Sequence, residues 1–280
     1  MAHVTSGTVQ GRAGAAAWRL ALLLILFLTF FPFVFMLMSS VKDTYQFYHT
    51  FWAPAWPPHF ENFTNAFADM GAYIFNSLFV TALSVGGIIV FSVVAGFVLG
   101  RYVFPGREII FYGTIATMMV PAVLMLVPAF EWVDRLGMLD SYPVMILPYI
   151  AWGQVLPIYL TRTFFAQIDT ALFEAAHVDG AGLFRQLWHI GLPLAKPVVG
   201  VVAIISALLV WNQFLWPLVT TSSEDVMVLT VGMLRYQARV SGQYGRMFAG
   251  YVISAIPLGI LFLFATRLFM RGITSGALKA

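Results

Sequence analysis

The chain has 280 residues, of which 60% are hydrophobic and only 10% charged, with a formal net charge of +3 and no cysteine. A water-soluble domain carries about 25% charged residues and does not expose the apolar patches that this composition would force, so a soluble fold and any disulfide framework are excluded. Apolar runs long enough to cross about 30 Å of hydrocarbon as helix recur instead, which predicts an all-α polytopic membrane protein.

In chain order, residues 1–17 are small and polar and are expected to form a cytoplasmic tail. Trp18–Met38 is the first predicted span. Its apolar run exceeds a signal-peptide core and lacks an A-x-A-like site, so it is expected to stay uncleaved. Residues 39–72 are too polar and proline-rich to span, and Phe51, Trp52, Trp56 and Phe60 suit a headgroup-level segment. Asn62-Phe63-Thr64 fits a glycosylation sequon, a match that three residues reach by chance. Tyr73–Leu99 is the second predicted span. Gly96 and Gly100, four apart, either admit a close helix neighbour or are ordinary membrane-helix glycines.

Residues 100–108 form a basic loop, 109–130 a third span and 131–142 a polar loop. Residues 143–165 form a fourth span, interrupted by Gly153, Gln154 and Pro157. The polar stretch 169–193 follows. Asp169 or Thr170 can cap a short helix there, because a short polar side chain accepts from the orphan amides of the first turn. Leu172, Ala175, Ala176 and Asp179 share one face of it. Asp179-Gly180 is a turn signal, and Leu183, Gln186, Leu187 and Ile190 make a second stripe. Pro193 is expected to close the segment. Residues 197–219 form a fifth span, 220–247 a polar loop, 248–270 a sixth span and 271–280 a cytoplasmic tail.

Six spans put both termini on one side. Ten Lys or Arg fall on that side and five on the other, so both termini and the 169–193 loop are expected in the cytoplasm. No glycine directly precedes Lys42, Lys196 or Lys279, which rules out a G-x-x-x-x-G-K-[ST] phosphate loop. His177 and His189 stand twelve apart, not at a metal-ligand spacing, and no Ser/His/Asp signature appears. No catalytic or metal-ligating residue is therefore expected, and no nucleic-acid partner.

Polar side chains at membrane depth face a bundle interior or a water-filled path. Trp211, Asn212 and Gln213 in the fifth span are read on that basis as a pathway wall, with Asn76 and Gln154 as further candidates. Interhelical hydrogen bonding is the alternative for each. The acids fall in loops or at span ends, near Glu108 and Glu131, which argues against a carrier driven by an ion gradient.

Glu174-Ala175-Ala176, three residues, Gly180, nine residues, Ile190, one residue, Leu192-Pro193 resembles the EAA loop of ABC importer permeases. Trp211–Pro217 and the ending from Tyr244-Gly245 to Arg271–Lys279 are similar to the carbohydrate-uptake branch, with Gln213 where that branch commonly has Glu. The resemblance implies a type I ABC importer permease bundle that moves a sugar or sugar-like solute, or a glycerol phosphate, by alternating access. It implies Glu174, Ala175, Ala176, Asp179, Gly180, Ile190, Leu192 and Pro193 as a docking surface for an ATPase subunit. It further implies two ATPase chains holding ATP and Mg, a second related permease and an extracytoplasmic binding protein. An amphipathic helix lying on the inner leaflet is the alternative for 169–193.

Overall fold

A computed structural model describes residues 7–277, with side chains at 14, 15 and 17–263. Among these residues every regular element is helical. Helix α1 spans Gly7–Ser40, α2 Thr44–His49, α3 Glu61–Arg101, α4 Arg107–Ala116, α5 Leu126–Arg135, α6 Pro143–Trp152 and α7 Val155–Gln167. Then come α8 Thr170–Val178, α9 Leu183–Gln186, a π-helical turn Leu187–Gly191, α10 Leu192–Trp211, α11 Leu215–Thr220, α12 Leu229–Arg239 and α13 Tyr244–Ala277. Among the described residues four helical stretches are long and apolar enough to cross a membrane. The number becomes six if each of two bent pairs forms one span.

The boundaries differ from the sequence expectations in instructive ways. Residues 7–17, expected as a tail, are helical and continuous with α1, as residues 271–277 are with α13; residues 1–6 and 278–280 lie outside the described residues. Helix α3 runs for 41 residues, beginning at Glu61 inside the stretch expected not to span. Its first three turns are polar enough to need no lipid, but nothing in them breaks a helix. The expected third span is bent by 95° between α4 and α5. Pro121 sits in extended conformation at that break, between two 3₁₀ turns, where its missing amide costs no helical bond. The fourth is bent by 45° at Gly153-Gln154. The fifth is α10, which stops at Trp211, followed by the short α11.

The chain folds as two compact units, Met1–Asp69 with Tyr236–Ala255, and Met70–Arg235 with Ile256–Ala280. In the first, Phe35 packs against Phe51 at 4.9 Å and edge-on to Phe248 at 5.8 Å. Asp43 caps α2 in a reciprocal capping box with Gln46. Lys42 is fully buried, and its ammonium donates to the carbonyls of Thr50 and Phe51 at the end of α2. Burial there lowers its pKa, because desolvation penalises the charged form. Asn62 donates through Nδ2 to the carbonyls of Ser40 and Lys42, so the sequon nitrogen is already engaged. Asp69 accepts from Arg246 at 2.6 Å and stands 3.7 Å from Arg239.

In the second unit α3 and α7 meet almost backbone to backbone. A Cβ on Gly96 would strike the Thr161 side chain and come within 2.8 Å of the Arg162 amide nitrogen; one on Gly100 would come within 2.9 Å of the Arg162 carbonyl oxygen. Of the two sequence readings of this pair, the structure selects close approach. Thr161, at the crossing, donates to the Ser92 carbonyl at 2.8 Å. Around it Val93, Phe97, Phe165, Phe173, Leu187 and Ala195 form a buried apolar cluster.

Candidate functional site

The stretch 169–193 folds as a bent pair of short helices. Asp169 accepts from the amide of Ala171, capping α8 as its position predicts. The helix ends at Asp179, and Gly180 takes φ +76°, a conformation that costs glycine nothing and other residues about 1–2 kcal/mol. The second stripe behaves as its periodicity requires: Gln186 and Leu187 are buried, Leu183 and Ile190 half-buried. Gln186 donates to the Ala181 carbonyl at 2.9 Å and accepts from the Tyr102 hydroxyl, which closes the turn onto the end of α3.

Pro193 corrects the expectation that it closes the segment. It is the second residue of α10, directly after a π-helical turn, so its missing amide falls where the hydrogen-bond ladder changes register. The chain is therefore helical without a break from Leu183 to Trp211. A π-turn at 187–191 absorbs the extra residue, and Gly191 sits against the rings of Phe97 and Phe165.

One face of this hairpin has no partner among the described residues. Glu174, Ala175, Asp179, Gly180 and Pro193 are exposed, while Ala176, Ile190 and Leu192 are half-buried. Among them stand large apolar side chains that water would not favour: Val178 at 87% exposure, Phe184 at 69% and Trp188 at 61%. The opposite face is anchored by Phe173, which sequence reasoning missed. Its ring lies 5.7 Å from Phe97, and the Arg101 guanidinium sits 4.3 Å above it. Phe173 is the one aromatic residue of α8, and that was the available signal.

Of the other sequence-predicted residues, Trp211, Asn212 and Gln213 lie together at the end of α10, while Asn76 and Gln154 sit on α3 and at the start of α7. Asn76 is only 2% exposed. It donates at 2.9 Å to the carbonyls of both Asp225 and Met227 and accepts from the Tyr142 hydroxyl at 2.8 Å. Its amide is thus occupied in fixing the 225–227 segment. Trp216 is buried too, donating from Nε1 to the Val144 carbonyl and meeting Trp152 edge to face at 5.0 Å. Asn212 lies at the end of α10, exposed, with its amide donating to the Leu208 carbonyl.

Trp211 borders an apolar cavity of about 350 Å³ between α3, α10 and α13, with Leu78, Ala82, Ala207 and Leu258 among its walls. Trp211 and Gln213 also line a small recess beside Tyr149. Tyr149 keeps a buried hydroxyl without a hydrogen-bond partner, and Gln154 a buried carbonyl oxygen likewise. Among the described residues no group of three or more His, Cys, Asp or Glu could hold a metal ion.

The sequence profile of the binding-protein-dependent transport system inner membrane components matches residues 92–275. The chain is 32% identical over 254 residues to the diacetylchitobiose uptake system permease NgcG of Streptomyces coelicolor, covering 89% of this chain and 83% of that one. It is 31% identical over 266 residues to the sn-glycerol-3-phosphate transport system permease UgpE of Yersinia enterocolitica, covering 91% and 92%. Its fold is similar to a chain of a bacterial ABC transporter that imports the acidic polysaccharide alginate. The TM-score there is 0.76 at 20% identity, over 95% of this chain and 99% of that one.

Proposed function

The chain belongs to the family of binding-protein-dependent transport system inner membrane components, and from that premise we propose how its parts serve the import of a sugar or sugar-like solute. It is a multi-pass membrane permease subunit and not an enzyme; ATP and Mg are held by separate ATPase chains. The observation that carries the coupling role is the α8–α9 hairpin, exposed and apolar on one face and fixed to α3, α7 and α10 on the other. Such a body can seat in a groove of a partner and move with it. Glu174 offers a carboxylate for a charge-assisted hydrogen bond at the groove's edge. The small side chains of Ala175 and Ala176 allow close approach. The excess of basic residues on the hairpin's side supports placing it, with both termini, in the cytoplasm.

The pathway runs beside Trp211 and Gln213. The apolar cavity and the unpaired hydroxyl of Tyr149, which lines the recess with them, support that placement. A second, related permease completes the path, and an extracytoplasmic binding protein delivers the solute; the family's dependence on a binding protein supports the latter. The relative that carries sn-glycerol-3-phosphate supports a second reading of the solute class.

Reconstitution with the second permease, the ATPase chains and the binding protein tests both halves. Uptake of diacetylchitobiose, with none of sn-glycerol-3-phosphate, supports the sugar reading; the reverse supports the alternative. Gly180→Pro forces a φ near −65° on a position at +76°. It should abolish ATP-driven uptake while the subunit still inserts, and normal uptake would refute the docking role.

A further inference from the structure

Docking by itself moves nothing across the membrane. Between α7 and α8 only Ile168 and Asp169 intervene, and Asp169 is exposed. A two-residue link could flex and absorb a push on α8. What bridges it is a side chain from a third helix.

Arg101 is the last residue of α3. Its Nη1 donates to the Ile168 carbonyl at 2.8 Å and stands 3.4 Å from the Phe165 carbonyl. Its guanidinium carbon lies 4.3 Å from the centre of the Phe173 ring. One planar cation thus grips the C-terminal carbonyls of α7, the link itself and the buried face of α8. Cations are favoured at helix C-termini, where the dipole is negative, and a guanidinium is suited to stack and donate at once. Gly100, next to it, already presses α3 against α7 too closely for any side chain. A second guanidinium, Arg162 of α7, has Nη2 2.8 Å from each carboxylate oxygen of Glu108 and lies 3.6 Å over the Phe111 ring, which fixes α7 to α4.

We propose that Arg101 is the positioning residue through which displacement of the α8 docking helix is transmitted to α3, by clamping Phe173 and the 165–168 carbonyls as one rigid body. The inference rests on the docking reading above and adds the route by which docking becomes movement. Without Arg101, α8 remains folded and exposed to its partner, but its movement is spent in the 168–169 link.

The chain contains no cysteine, so an introduced one is unique in this subunit. Two reporters in the complex purified with its ATPase chains separate the possibilities. Ala175→Cys reports docking by cross-linking to the ATPase. Ala82→Cys, on α3 and lining the apolar cavity, reports movement by its rate of maleimide labelling before and after trapping with ATP and vanadate.

In the otherwise unaltered complex, trapping should change the Ala82→Cys labelling rate by about fivefold or more, the lower end of ordinary coupling between sites. Arg101→Met should keep the cross-link and the ATPase rate but lose that change. Phe173→Leu, which removes the ring and keeps the cation, should lose most of it, and Arg101→Lys should restore part. An undiminished labelling change in Arg101→Met or in Phe173→Leu overturns the proposal. Absence of the Ala175→Cys cross-link in the otherwise unaltered complex instead overturns the docking reading. If Arg101→Met fails to assemble, Phe173→Leu and Arg101→Lys decide the matter by the same labelling ratio.

Discussion

Asn76 shows how much a single amide can be committed. One donor group serves the carbonyls of Asp225 and Met227, and the oxygen accepts from Tyr142. Asn76→Leu takes from the buried Met227 carbonyl its side-chain donor, a cost of about 1–3 kcal/mol. Limited proteolysis should then cut the 221–228 segment faster than in the unaltered protein; unchanged cutting would mean that Asn76 does not hold that segment. Asp140 works in the same way outside the spans. Its carboxylate accepts from the amides of Ser222 and Ser223, and these bonds hold its pKa below the usual carboxylate value. The folded pKa is depressed, so the anchor is fully present above about pH 4, the ordinary aspartate value, and is lost as pH falls through the lower folded one. Hydrogen exchange at Ser222 and Ser223, corrected for the intrinsic rate, should therefore show protection that collapses only in that acid window. Asp140→Asn should abolish the pH dependence.

At the scale of elements, the crossing of α3 and α7 depends on two missing side chains. Gly96→Leu would drive a side chain into the backbone of Arg162 as well as the Thr161 hydroxyl. Overpacking of this kind costs about 1–3 kcal/mol, and the purified subunit should unfold at a lower temperature in detergent; an unchanged midpoint would mean that the helices can part freely. The glycine spacing was visible in the sequence, but its partner was not, because a period marks a face and not what covers it. The α8–α9 hairpin was legible almost in full: the Asp169 cap, the Gly180 turn and the buried second stripe all follow from local chemistry. Pro193 was misread because proline ends a helix or begins one according to what precedes it, and here a π-turn supplies the missing continuity. Phe173 was missed because a ring in a polar stretch reads equally as exposed or anchored until its neighbours are known.

For the molecule as a whole, the clearest consequence lies at the break between α10 and α11. Asn212 and Gln213 sit there, with Trp211 on the apolar cavity and Gln213 on the recess beside Tyr149. Replacing both amides by Leu should lower uptake about tenfold, as a barrier rise of about 1.4 kcal/mol gives, while assembly with the ATPase chains survives; unaltered kinetics would remove these residues from the path. The amino-acid sequence by itself determined that the chain is a helical membrane protein, where its polar hairpin lies and to which family it belongs. Hydrophobicity, capping and spacing are local properties, read along the chain without knowing which residues meet in space. Only the tertiary structure decided which carbonyls Asn76 and Trp216 bond, that Gly96 and Gly100 face α7 and that Arg101 reaches Phe173. A polar or aromatic side chain can satisfy itself with many partners, and the fold alone brings one of them within reach.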